Sequence, residues 1–104
     1  MAWLILLAAG LMEIVWLYLL KAANGLEHKG YAAAGWVIAT ASFWLLGAAL
    51  KDLPAGTAYA VWTGIGAVGG AVMGIVLFGE PATVLRLFCI ALIVGGIMGL
   101  KVLA

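Results

Sequence analysis

AWLILLAAGLMEIVWLYLL, residues 2–20, is the stretch that decides the fold: it is apolar from end to end apart from Glu13. A helix rises about 1.5 Å per residue and the hydrocarbon core of a bilayer is about 30 Å thick, so ~20 such residues cross a membrane. Three further runs have the same character, at about 32–50, 57–78 and 85–100. Hydrophobic residues make up 68% of the 104, against five Lys and Arg and four Asp and Glu. The mean hydropathy is +1.30. A soluble domain carries about a quarter charged residues, so that class is excluded. The expectation is an all-α integral membrane bundle of four spans forming one domain over 1–104. Three short links leave no length for a nucleotide-binding, sensory or catalytic lobe. No cofactor, metal or nucleic-acid partner is expected; the bilayer itself is the surroundings.

The first run could be read as a secretory signal, since small residues Ala8, Ala9 and Gly10 follow an apolar stretch. A signal also needs a basic segment ahead of that stretch, and none precedes Trp3. The apolar pattern continues to Leu20, so a retained span is expected. Cys89, the single cysteine, falls inside the fourth run and reads as a small packing residue.

Glu13 is the one charged side chain deep inside any run. Placing it there costs roughly 2.5–3.5 kcal/mol on insertion scales, which marks it as functional by default. No Lys or Arg shares its depth. Its companion must therefore be a proton, a cationic ligand, or a group from a second chain. Leu6, Gly10, Glu13, Trp16 or Leu17, and Leu20 fall on one helical face. Gly10 leaves room beside the acid, and Trp16 offers an aromatic face one turn on. Trp3 reads as an interfacial anchor.

Ser42 lies near the middle of the second run, ahead of Phe43 and Trp44. It can bond back to its own helix or reach Glu13. At least one of the two aromatics faces lipid. In the third run Tyr59 and Trp62 share a face. Gly66, Gly70 and Gly74 repeat at the spacing that lets helices approach closely. The glycines from Gly64 to Gly70 serve either packing or a hinge. Gly95 and Gly99 carry the same spacing in the fourth run and read as a dimer contact.

The links have local signatures. Asn24-Gly25 suits a helix C-terminus with positive φ, and Pro54 and Pro81 precede the third and fourth spans. His28 sits among charges and reads as solvated. Lys51 and Lys101 lie on the side of the N-terminus, and Lys21, Lys29 and Arg86 on the other. Lys and Arg counts normally orient a membrane protein. Two against three is nearly a tie, so copies are expected to insert both ways and pair antiparallel. Such a pair supplies the inverted symmetry that many transporters build from internal repeats, and four helices alone are too few to wall a hydrated cavity.

Gly10-Leu-Met-Glu-Ile-Val-Trp16 and Leu53-Pro-Ala-Gly-Thr-Ala-Tyr-Ala-Val-Trp-Thr-Gly-Ile-Gly66 resemble the small multidrug resistance transporters over the whole chain. Trp16, Ser42, residues 56–69 and the ending Gly99-Leu-Lys101 look most like the guanidinium-exporter branch. Leu17-Tyr18, Trp44 and Gly70 depart from its typical members. The resemblance implies an antiparallel dual-topology homodimer in a bacterial inner membrane, with inward proton flow driving cation export. By position, Glu13 would bind proton and substrate in turn, Trp16 and Ser42 would support it, and Tyr59 and Trp62 would line the pocket. Gly10, Gly64 and Gly66 would give room or bending, and Gly95 and Gly99 the dimer contact. The residues alone leave other functions open: an exporter of lipophilic or quaternary ammonium cations, a passive cation pore, or a non-transporting scaffold.

Overall fold

The four apolar runs become four helices in the computed structural model, which describes residues 1–103: α1 (Ala2–Ala22), α2 (Lys29–Ala49), α3 (Ala55–Phe78) and α4 (Val84–Leu103). All four are long and apolar enough to cross a membrane, and no strand occurs among the described residues. A bilayer leaves backbone groups no water to bond to, so helices, which satisfy theirs internally, are the form such runs must take. α1, α2 and α4 run past the apolar stretches, to Ala22, from Lys29 and to Leu103, because the backbone ladder continues where only the side chains change character.

Turn chemistry sets the ends. After α1, Asn24, Gly25 and Leu26 take φ of 49°, 66° and 81°, and the Asn24 side-chain amide donates to Glu27 at 2.9 Å. Left-handed backbone was expected at Asn24-Gly25; its extension to Leu26, which has a Cβ, costs about 1–2 kcal/mol. Pro54 stands at the N-cap of α3, and Gly79 ends that helix in the left-handed region with φ 67°. The Glu80 amide closes this end by donating to the Gly74 carbonyl at 3.1 Å. Thr83 caps α4 by accepting from the Arg86 amide at 3.2 Å. His28 is exposed, as expected, and precedes α2.

α1 packs along α2 and α3, α2 touches α3 only slightly, and α4 packs on α3 alone. The result is a slab with extents of 42 × 35 × 17 Å. A helix with side chains is about 10–12 Å across, so the slab is too thin to enclose a chamber. Its core is small and lies toward the N-terminal end of α1. Leu6 and Ala9 meet Leu46 and Ala49 of α2 there, and Ala58, Val61 and Trp62 of α3. Alanine supplies three of these seven residues, because helices without hydrophobic attraction between them associate through close backbone approach.

α4 has no buried residue. Cys89, expected as a packing residue, is exposed on it.

Candidate functional site

Glu13 stands eleven residues into α1, about 16 Å along the helix axis, near the middle of a bilayer. Its partly exposed side chain lies against α3 at Gly66. A Cβ at Gly66 would come within 3.0 Å of the Glu13 Cβ and Oε2, so this glycine is what lets the carboxylate sit against the neighbouring helix. Trp16, one turn along, donates its indole N–H to Glu13 Oε1 at 2.7 Å. Trp16 was expected to offer its ring face; here it offers its edge, with a charge-assisted bond.

No cation pairs with Glu13 among the described residues. The one ion pair there is Arg86–Glu80 at 3.0 Å, in the link and first turn around α4.

Ser42 does neither of the two things expected of it. Its hydroxyl, fully buried, donates across to α1 at the Ala9 carbonyl, 2.7 Å away, rather than to its own helix or to Glu13. Trp62 of α3 in turn donates its indole N–H to Ser42 Oγ at 3.0 Å. One hydroxyl thus ties α1, α2 and α3. The acceptor is telling, because Ala9 is the residue whose carbonyl helix geometry pairs with the Glu13 amide. Ser42 reaches Glu13 through the backbone that carries it.

The glycines are filled differently from the sequence reading. Gly10 does not hold open a space: Ile65 occupies it, and a Cβ there would fall 2.7 Å from Ile65 Cγ2. Gly64 seats Ile97 and Ile93 of α4, Gly69 seats Ile14, and Gly70 seats Leu17. The Gly66-Gly70-Gly74 ridge is therefore used within one chain, the first two against α1 and Gly74 against the Glu80 carboxylate. Gly95 and Gly99 have nothing within 4 Å among the described residues and leave an open strip on α4.

Tyr59 and Trp62 share a face with ring centroids 5.7 Å apart, as their spacing predicts. Trp62 is buried, whereas Tyr59 is 59% exposed. Phe43, which sequence reasoning did not place at the site, packs on Trp62 with centroids 5.3 Å apart. Its adjacency to Ser42 was the available signal. Both aromatics of the pair are exposed, Phe43 at 59% and Trp44 at 80%.

A carboxylate at mid-membrane depth with one oxygen held by an indole can take a proton or a donor-rich cation. Comparisons with known proteins extend over nearly the whole chain. Residues 1–93 match the family model described as Small Multidrug Resistance protein. A guanidinium exporter of Yersinia pseudotuberculosis is 52% identical over 97% of this chain and 97% of its own length. One from Escherichia coli is 52% identical over 97% and 96%, and one from Salmonella typhimurium is 50% identical over 100% and 99%. With end-to-end identity at that level and four membrane-spanning helices around a lone intramembrane acid, this chain is a multi-pass membrane protein of the small multidrug resistance family.

Proposed function

We propose that the protein exports guanidinium and small substituted guanidinium cations in exchange for protons. It does so as an antiparallel homodimer in a bacterial inner membrane. The observation that carries this reading is Glu13 itself, at mid-bilayer, held by Trp16 and without a cation partner among the described residues. Desolvation disfavours the charged form of a carboxyl. The carboxylate therefore binds either a proton or a cation, and each excludes the other. A dimer that changes its open side only when loaded with one of them uses inward protons to move cations outward. The nature of the relatives, exporters by name, supports transport rather than an enzymatic reaction.

Guanidinium fits the geometry. Its planar N–H groups bond a carboxylate bidentately, and Glu13 Oε2 receives no hydrogen bond from the described residues. The exposed ring of Tyr59 would add cation–π attraction of about 0.5–2 kcal/mol, depending on desolvation, while Trp16 holds the carboxylate by its indole edge. The Ala9–Ser42–Trp62 bonds hold three helices in register around the acid. The near-even Lys and Arg count, the thin slab and the uncovered strip of α4 all support a second, inverted copy.

Glu13→Gln removes the exchangeable proton while keeping the shape. In proteoliposomes it should abolish guanidinium-driven proton movement. Coupled flux in that variant would overturn the assignment. Wild-type protein that moves quaternary ammonium ions but not guanidinium would assign the broader lipophilic-cation activity instead.

A further inference from the structure

Two apolar cavities between α1, α3 and α4 share Leu7, Ile65 and Ile97 and so form one groove. The outer part, about 240 Å³, begins at Trp3 and Lys101. The inner part, about 370 Å³, ends at Ile14 and Val94. No charged group lines it except Lys101 at the outer end, where Lys101 Nζ rests 5.3 Å from the centre of the Trp3 ring. From Trp3 to Ile14 is eleven residues of helix, about 16 Å, and one leaflet's hydrocarbon is about 15 Å deep. The groove thus runs from the headgroup level to the bilayer midplane.

We propose that this groove is a binding site for an anionic phospholipid. One acyl chain lies along Leu7, Ile65 and Ile97, and the phosphate sits at Lys101. Tryptophan and lysine at the outer end are the pairing that interfacial anchoring and anionic headgroups favour. A second copy of the chain is the competing occupant, and helix geometry argues against it. At about 100° per residue, Ile97 and Lys101 point roughly 160° away from Gly99. If the open glycine strip receives the other copy, as proposed above, the groove faces lipid. The chain's end reaches the level of Glu13 beside the Gly64–Ile97 contact, so the lipid wedges α1 from α4 at the depth of the site.

The test uses protein with labelled methyl groups, in phosphatidylcholine bilayers containing phosphatidylglycerol spin-labelled near the chain end. Leu7, Ile65, Ile97 and Met98 should broaden well beyond Val37, an exposed residue of α2 outside the groove. Lys101→Gln should remove a roughly fivefold preference for phosphatidylglycerol over equally labelled phosphatidylcholine. Broadening equal to that of Val37 would mean bulk lipid only and would overturn the proposal. So would contacts from a differently labelled second chain to the same methyls, or an unchanged preference in Lys101→Gln. None of these outcomes depends on whether Glu13→Gln transports.

Discussion

The Ser42 hydroxyl holds two bonds that leave its own helix, one given to Ala9 and one received from Trp62. Hydrogen bonds between membrane helices are worth about 0.6 kcal/mol on average and up to ~1.7. Deleting the hydroxyl also strands a buried indole N–H, which adds a desolvation cost. Ser42→Ala should therefore destabilise the protein by about 1–3 kcal/mol in detergent unfolding, while guanidinium binding survives in calorimetry. Unchanged stability with binding lost would show instead that Ser42 contacts the ligand. Glu13 differs in kind. Its side chain is partly exposed and its single bond comes from Trp16, so it remains free to change partners while Ser42 cannot.

The seam between α1 and α3 is built from glycines that receive side chains: Gly10 takes Ile65, Gly66 takes Glu13, Gly69 takes Ile14 and Gly70 takes Leu17. Reciprocal seating of this kind brings α3 close enough for Glu13 to lie on its backbone. At Gly69 an added methyl would overlap Ile14. Overpacking costs about 1–3 kcal/mol, so Gly69→Ala should be destabilised by that amount. Ile14→Ala in the same chain removes the overlapping atoms. The double variant should fall short of the summed single losses by about 1 kcal/mol or more, measured by unfolding in mixed micelles. Additive losses would mean that the two residues do not meet.

One copy of the chain is a slab with an unburied α4, the face that the proposed second copy would cover. Gly95 and Gly99 meet nothing among the described residues, and neither does Gly47 on α2. Replacing Gly95 or Gly99 by leucine should leave each copy folded yet lower the dimer fraction in detergent about tenfold, read by single-molecule pulldown. Gly47→Leu serves as the control and should change nothing. Equal effects at Gly47 and Gly99 would remove α4 from the dimer contact.

Span number, span length and the depth of Glu13 were determined by the sequence alone, because hydrocarbon thickness and the cost of a buried charge act on any chain whatever its tertiary contacts. The helix start at Pro54 and the left-handed backbone at Asn24-Gly25 were also readable, since ring closure and turn chemistry are local matters. Which side chain meets which was decided only by the tertiary structure. Apolar residues surround all four helices almost evenly, so periodicity does not reveal the face each one turns to its neighbour. Ser42 could have bonded its own helix, Glu13 or Ala9, and Gly10 could have been empty or filled. Those choices depend on the rotation of α2 and α3 about α1, set by packing among residues far apart in the chain.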